Sequence, residues 1–190
     1  MKEKYLLAVD LDDTLVQTDA LNSAAYRLAI REAGVEIPEG YFEEHCSGRH
    51  YRDFLPEILG SEVSAERMEA VHERKKELYS ACIDRARLNL PLCRMLEDLR
   101  ATGLWCTALV TTGNTHNSSE ILQHFGLAGL FDAVITASDV EKQKPDGEGY
   151  EKAMAMLGIP PERTVIVEDS ETGLQAARAS GAHVWKIDRF

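Results

Sequence analysis

Five short apolar runs along the chain predict buried β-strands. In each run the apolar residues occupy consecutive positions instead of alternating with polar ones, which is typical of strands covered on both faces. The runs occupy residues 5–9, 105–110, 133–136, 164–167 and 183–187. We therefore expect a sheet whose strands are largely parallel.

Amphipathic patterns with a helical period lie between most of these runs. Residues 92–99 carry apolar side chains at positions i, i+3, i+4 and i+7, and Gly103 marks the end of that pattern. Similar patterns occupy residues 150–157 and 172–180. Alternating strands and helices indicate right-handed βαβ units. The predicted fold is α/β, with a Rossmann-like three-layer core around a parallel sheet.

The stretch from residue 16 to 88 breaks this alternation because it contains no convincing strand pattern. Helical patterns fill it instead, first around residues 21–29 and then over residues 64–85. In the second pattern the inward positions are predicted to be Met68, Val71, Leu78 and Cys82. We expect a core formed by residues 1–15 and 89–190, with a small helical insertion over residues 16–88.

Composition and charge exclude several classes of function. The formal net charge of −11 argues against a nucleic-acid surface or an anionic membrane as partner. No apolar stretch approaches the ~20 residues needed to cross a bilayer, and no signal peptide precedes the first strand. The protein is therefore expected to be cytoplasmic, as a monomer or a small homo-oligomer.

The four cysteines, Cys46, Cys82, Cys93 and Cys106, are far apart and form no C-x-x-C pair. This spacing signals neither a zinc site nor a redox motif. We expect most of them to be small core residues in a reducing compartment.

Candidate chemistry begins where the first apolar run stops. Asp10, Asp12 and Asp13 follow residues 5–9 directly. Carboxylates this close raise one another's pKa or need a cation between them, so a divalent metal is a natural partner. A solvated acidic turn that closes a strand is the alternative reading of this segment alone.

Polar residues also follow the other strands. Thr111 and Thr112 follow the second run, Lys144 lies beyond the third, and Glu168 and Asp169 follow the fourth. Taken singly, these are equally well explained as helix caps or surface turns. However, ligands bind beyond the carboxyl ends of parallel strands, so all of these groups are predicted to converge at one edge. Carboxylates, hydroxyls and one lysine together are the parts required for metal-assisted phosphoryl transfer.

With these residues in place, the chain resembles the haloacid dehalogenase-like superfamily, in its phosphatase and phosphomutase branch with a helical cap. The resemblance rests on D-L-D-D-T at residues 10–14, on Thr111, on Lys144-Pro145, and on V-E-D-S-E-T-G-L at residues 167–174. It covers essentially the whole chain. It implies that the helical insertion is a cap that closes over the site.

The resemblance also implies a role for each residue of the site. Asp10 would be the nucleophile that forms an aspartyl phosphate, and Asp12 the general acid and base. Thr111 and Lys144 would hold the phosphoryl group. A Mg²⁺ ion would be bound by Asp10, the backbone carbonyl of Asp12, and Asp169. Glu168 would act either as a further ligand or as a neighbour of the ligands that does not touch the ion. Two departures from the family pattern, Asp13 and Gln143, remove no functional group.

Substrate contacts are expected from a wider set of residues. The relative β-phosphoglucomutase carries a cap histidine a dozen residues beyond its nucleophile, whereas this chain has Asn22 at that count, which favours hydrolysis over transfer to a sugar. A solvated helix start is the alternative for the two arginines of the cap. The predicted substrate-binding residues are Thr14, Thr112, Asn22, Gly48, Arg49 and Arg52.

The sequence thus predicts a Mg²⁺-dependent phosphatase that hydrolyses a small phosphorylated metabolite. A β-phosphoglucomutase-like sugar phosphomutase is the first alternative. A non-catalytic binding protein that has kept the fold is the second.

Overall fold

A five-stranded parallel sheet forms the centre of the protein, as seen in a computed structural model that describes residues 3–188. The strand order is β5-β4-β1-β6-β7, and every pairing between neighbours is parallel. The strands are Tyr5–Val9 (β1), Val16–Gln17 (β2), Arg87–Leu88 (β3), Trp105–Val110 (β4), Ala133–Ile135 (β5), Thr164–Glu168 (β6) and His183–Lys186 (β7). All five strands predicted from the apolar runs are present, with ends that differ by one residue at most.

Eight helices accompany the strands in the part of the chain that the structure describes. They are Asp19–Glu32 (α1), Tyr41–His45 (α2), Tyr51–Leu59 (α3), Ala65–Leu78 (α4), Leu90–Ala101 (α5), Thr115–His124 (α6), Glu148–Leu157 (α7) and Glu171–Ala179 (α8). α5 to α8 alternate with the sheet strands, so the predicted α/β architecture is confirmed. A buried apolar cluster joins the strands to α7 and α8.

The chain divides into two compact units. Residues 3–17 and 88–188 form the sheet-containing unit, and Thr18–Arg87 form the helical unit. The helical unit is inserted between β1 and β4, where the sequence predicts helices without a sheet. Two strands of two residues each, β2 and β3, pair at the two connections. They are too short to carry a pattern that sequence reasoning could detect.

The helical unit has an aromatic core of its own. Tyr26 of α1 packs against Phe42 of α2 and Phe54 of α3. The helical pattern predicted over residues 64–85 is two elements, α4 and a 3₁₀ segment at Ser80–Arg85. Both elements pack on α1, which is why one apolar stripe runs through them. Val71 and Cys82 are buried as predicted, while Met68 and Leu78 are partly buried.

All four cysteines are buried and form no disulfide, as predicted for core residues. Burial raises the pKa of the Cys93 thiol to about 11, so that thiol stays protonated at neutral pH. Among the helices of residues 3–188, none is long and apolar enough to cross a membrane.

Candidate functional site

The register of the sheet brings Asp10 between two neighbouring strand ends. Val9, the last residue of β1, lies opposite Leu109 of β4 and Val167 of β6. The next residue, Asp10, donates its backbone N–H to the Val167 carbonyl at 3.1 Å. Asp10 therefore extends the centre of the sheet, and the residues that follow β4 and β6 lie on either side of it.

The turn after Asp10 folds back to fix Asp169. Asp13 adopts a left-handed backbone with φ of 59°, a conformation that Asp tolerates better than most residues. Thr14 is fully buried, and its hydroxyl donates to Asp169 Oδ1 at 2.9 Å. Asn89 donates to the Thr14 carbonyl at 3.0 Å and so ties this turn to the start of α5. Thr14, predicted to contact substrate, thus orients a carboxylate.

Lys144 reaches the same place from the loop after β5. Its buried ammonium donates to Asp10 Oδ1 at 2.6 Å, to Glu168 Oε1 at 2.5 Å and to the Val110 carbonyl at 3.0 Å. An ammonium has three N–H donors, so these acceptors use all of them. The three contacts fix both the position and the direction of the lysine charge.

The loop that carries Lys144 is held by the first residue of α7. The Glu148 carboxylate accepts the backbone N–H groups of Glu141 and Lys142 at 2.9 and 2.8 Å. These bonds lower the pKa of Glu148, so the carboxylate stays charged. Negative charge in the first turn of a helix is also favoured by the helix dipole. These hydrogen bonds therefore hold the loop that carries Lys144 against the start of α7.

Glu168, at the end of β6, is completely buried and surrounded by donors. Its Oε1 accepts hydrogen bonds from Lys144 and from the Tyr150 hydroxyl, the latter at 2.8 Å. Its Oε2 accepts from the backbone N–H groups of Asp169 and Ser170 and from the Ser170 hydroxyl. Both carboxylate oxygens therefore have protein partners.

The electrostatics of the site favour a bound cation. Burial raises the pKa of Asp10 well above its usual range; Lys144 opposes this rise, while Glu168 and Asp12 add to it. Burial also disfavours the charge of Lys144, but Asp10 and Glu168 outweigh it and raise the pKa of the lysine. With Asp169 included, four carboxylates gather near one ammonium. Additional positive charge would stabilise Asp10 in its ionised form.

The donor set fits a hard divalent cation. One oxygen from each of Asp10, Glu168 and Asp169 lies within 4.8 Å of the others. A Mg²⁺ ion with oxygen ligands at about 2.1 Å spans a similar distance. Since the oxygens of Glu168 already accept five hydrogen bonds, Asp10 and Asp169 are better placed as direct ligands, with Glu168 as the group that orients Lys144.

Thr111 and Asp12 meet on the other side of Asp10. The Thr111 hydroxyl, which is buried, donates to Asp12 Oδ2 at 3.3 Å and accepts the Gly113 N–H at 2.9 Å. A cavity of about 320 Å³ opens beside these groups, large enough for a small phosphorylated molecule. Its lining includes Asp10, Asp12, Thr112, Gln143, Lys144 and Asp169.

The predicted residues of the helical unit have partners within that unit. Asn22 accepts a hydrogen bond at 2.5 Å from Lys75, whose buried ammonium also lies over the rings of Tyr26 and Tyr79. Arg49 forms a two-point ion pair with Glu57.

The remaining predicted residues of this unit lie near the start of α3. Gly48 has a left-handed backbone with φ of 75° just before that helix. Arg52 contacts Glu69 at 3.3 Å. A substrate-binding role for Asn22, Gly48, Arg49 and Arg52 stays a prediction.

Four residues for which the sequence predicted no role in the site take part in it. Tyr150 and Ser170 bind Glu168, Asn89 holds the turn at Thr14, and Gly173 leaves room for the Glu168 carboxylate. Tyr150 belongs to the apolar stripe predicted over residues 150–157, and such a stripe alone indicates packing. A tyrosine on the buried face of a helix requires a partner for its hydroxyl, and that requirement was the available signal.

Comparison with known proteins places this geometry in a family. The haloacid dehalogenase-like hydrolase family matches residues 6–181. The Phosphorylated carbohydrates phosphatase of Thermotoga maritima is 28% identical over 183 residues, covering 90% of this chain and 79% of the relative. The Fructose-1-phosphate phosphatase YqaB of Escherichia coli is 25% identical over 182 residues and covers 95% of each chain.

A solved structure shows the same fold. CbbY from Rhodobacter sphaeroides, crystallised in complex with phosphate, superposes with a TM-score of 0.81 at 23% identity, over 98% of this chain and 87% of that one. The resemblance predicted from the four motifs is thus confirmed. The chain belongs to the haloacid dehalogenase-like hydrolase family, in its phosphatase and β-phosphoglucomutase-like branch.

Proposed function

We propose that this protein is a Mg²⁺-dependent phosphatase that hydrolyses a small phosphate monoester through an aspartyl-phosphate intermediate on Asp10. The observation that carries the proposal is the meeting of Asp10, Lys144 and Asp169 at the carboxyl edge of the sheet. A buried carboxylate paired with a fixed ammonium beside a cation site suits attack on an anionic phosphoryl group.

The reaction divides into two balanced steps. In the first, an oxygen of Asp10 attacks phosphorus, the P–O bond to the substrate breaks, and Asp12 gives its proton to the departing alcohol oxygen. In the second, Asp12 takes a proton from water, the resulting hydroxide attacks phosphorus, and the bond between phosphorus and the Asp10 oxygen breaks, which releases inorganic phosphate and restores the Asp10 carboxylate. The hydrogen bond from Thr111 to Asp12 supports a role for Thr111 in holding the phosphoryl oxygens next to the acid.

Asp10, Asp169 and the main-chain carbonyl of Asp12 would hold the Mg²⁺ ion. When bound, the ion supplies positive charge that offsets the charge of the carboxylates and of the phosphoryl group. Lys144 supplies the remaining fixed positive charge from the protein itself. Glu168 keeps that lysine in place.

The substrate class is proposed from the relatives. The two curated relatives are named for phosphorylated carbohydrates and for fructose 1-phosphate. A cavity of about 320 Å³ bordered by carboxylates, hydroxyls and a lysine accepts a compact, hydroxyl-rich phosphate ester. A phosphorylated sugar or polyol is therefore the proposed substrate.

The decisive experiment measures phosphate release across sugar phosphates, polyol phosphates, phosphoglycolate and nucleotides, with Mg²⁺ present. Asp10→Asn is the control, and its kcat should fall about 10³-fold or more because the nucleophile is lost. Circular dichroism should show an unchanged fold. Mg²⁺-dependent turnover that survives in pure Asp10→Asn protein would exclude Asp10 as the nucleophile.

The same panel separates the alternatives. Isomerised sugar phosphate that forms faster than inorganic phosphate, from a hexose 1-phosphate with a bisphosphate activator, would favour a phosphomutase. No release from any ester would favour a non-catalytic binding protein.

A further inference from the structure

We propose that Tyr150 is a positioning residue for this reaction, acting on Lys144 through the buried carboxylate of Glu168. The inference rests on the proposed function for its catalytic consequence, but its structural part concerns only contacts within the sheet-containing unit. Tyr150 lies on the buried face of α7 and is 1% exposed.

The first step of the argument is the shared acceptor. Glu168 Oε1 accepts from both the Tyr150 hydroxyl at 2.8 Å and Lys144 Nζ at 2.5 Å. A hydroxyl that donates to a carboxylate oxygen withdraws part of its negative charge. The pull of that oxygen on Lys144 is reduced accordingly, and the lysine keeps its 2.6 Å contact with Asp10 Oδ1.

The second step is that the hydroxyl remains a donor. A phenol ordinarily has a pKa of about 10, and an ionised carboxylate oxygen can only accept a hydrogen bond, so Tyr150 is the donor to Glu168. The Tyr150 ring also lies 5.1 Å from Lys144 Nζ, where its face attracts the ammonium.

The third step is that two glycines provide the space for this arrangement. A Cβ on Gly149 would lie 2.9 Å from Val110 Cγ1, so the absence of a side chain lets α7 approach β4 and brings Tyr150 beneath Glu168. A Cβ on Gly173 would lie 1.9 to 2.2 Å from the Glu168 carboxylate. The carboxylate is therefore confined by Tyr150, by Gly173 of α8 and by its backbone donors.

The chemistry assigns Tyr150 a role beyond packing. A phenylalanine would fill the same space, so the hydroxyl is needed only for its hydrogen bond to Glu168. Without it, Oε1 holds Lys144 more strongly and Asp10 holds it less strongly. The Lys144 ammonium then shifts away from the nucleophile, Asp10, and toward Glu168.

The test is Tyr150→Phe, with Tyr26→Phe as the matched control. Tyr26 is likewise buried, and its hydroxyl is bonded to a single side chain, His72, within the helical unit. For Tyr150→Phe we expect kcat to fall about tenfold with KM changed less than twofold, because an orienting contact is lost and no substrate contact is. Tyr26→Phe should keep kcat within twofold. A Tyr150→Phe enzyme with kcat within twofold of wild type would overturn the proposal.

A second measurement needs no activity. In metal-free ¹⁵N-labelled protein, the NMR signal of the Lys144 ammonium should be protected and visible, and Lys144→Arg identifies it. Tyr150→Phe should shift or broaden that signal, while Tyr26→Phe should not. An unchanged signal in Tyr150→Phe refutes the positioning role even if no substrate is hydrolysed, so this failure is distinct from failure of the proposed function.

Gly173→Ala tests the same carboxylate from its opposite side. The added methyl group must displace Glu168, and we expect the same change in the Lys144 signal and a fall in kcat of at least tenfold. If Tyr150→Phe does not fold, this variant still tests the link on which the proposal depends, the control of Lys144 by the position of Glu168. A Gly173→Ala protein with a wild-type Lys144 signal would count against the proposal.

Discussion

At the scale of single residues, the site depends on pairing each buried charge. The side chains of Lys144 and Glu168 are both largely buried, and an unpaired buried ion costs several kcal/mol. The hydrogen bonds that surround them offset that cost. The meeting of Asp10, Asp12 and Asp169 at one edge of the sheet was predictable, because these residues follow apolar strands closely and the carboxyl ends of parallel strands share an edge. The role of Thr14 in orienting Asp169 was not predictable, because it depends on a turn whose backbone angles a sequence does not reveal.

His72 is a partly buried titratable group away from the catalytic residues. Its ring stacks on Tyr51 at 4.0 Å, and its Nδ1 lies 2.6 Å from the Tyr26 hydroxyl. The pKa of His72 is lowered to about 4, first by burial and then by the charges of Lys76 and Lys75, against the smaller opposing effect of Glu73 and Glu69. The folded protein therefore favours the neutral imidazole, whereas the unfolded chain binds a proton near pH 6.5.

We predict that this histidine makes the protein less stable in acid. The stabilisation it gives is fully present above pH 6.5 and is lost as the pH falls toward 4, by roughly 2 kcal/mol once its partial exposure is taken into account. Urea unfolding at pH 7 and at pH 4.5 measures the loss, and His72→Gln should lose correspondingly less stability between those pH values. His116→Gln, at an exposed imidazole, is the control and should retain the wild-type pH dependence. Equal slopes for wild type and His72→Gln would contradict the assignment.

At the scale of elements, the approach of α7 to β4 decides whether the site is assembled. Gly149 lies in the first turn of α7, where any side chain meets Val110. Alanine has the higher helix propensity, by about 1 kcal/mol, so a gain in stability would be expected if space allowed. The geometry favours a loss of stability instead, because the added methyl group clashes with a packed strand.

We predict that Gly149→Ala lowers the free energy of unfolding by about 1 to 3 kcal/mol, the usual cost of overpacking. Gly129→Ala is the control, since no atom lies within 4 Å of the added methyl group, and it should change stability little. Chemical denaturation of both variants provides the comparison. A stabilised Gly149→Ala protein would show that α7 can move away from β4 without cost.

The elements themselves were largely predictable, and the exceptions have physical reasons. The strands β1 and β4 match their apolar runs residue for residue because central parallel strands are buried on both faces. β2 and β3 were missed because two residues carry no periodicity. The 3₁₀ segment at Ser80–Arg85 was merged with α4 because both present apolar residues to α1 at nearly helical spacing.

At the scale of the whole molecule, the carboxyl edge of the sheet gathers negative charge that a metal ion would relieve. The chain carries a net charge of −11, and its carboxylates at the sheet edge add local repulsion to this excess. Binding of an ion to the folded state alone must therefore stabilise that state.

We predict that Mg²⁺ raises the unfolding temperature of the wild-type protein and that EDTA reverses the rise. At a hundredfold excess over Kd the gain is about 2.7 kcal/mol, or roughly 5 to 10 °C for a chain of this size. Asp169→Asn should lose most of the shift, whereas Glu162→Gln, at an exposed carboxylate, should retain it. Scanning calorimetry with and without Mg²⁺ gives the result. Equal shifts in wild type and Asp169→Asn would place the ion elsewhere.

The buried thiols have a practical consequence. Each unit contains two of them, Cys46 and Cys82 in the helical unit and Cys93 and Cys106 in the sheet-containing one. Packed side chains shield every sulfur from alkylating reagents until the structure around it unfolds locally. The native cysteines therefore report on local unfolding. Mass spectrometry of timed alkylation can follow that unfolding in each of the two units without an engineered label.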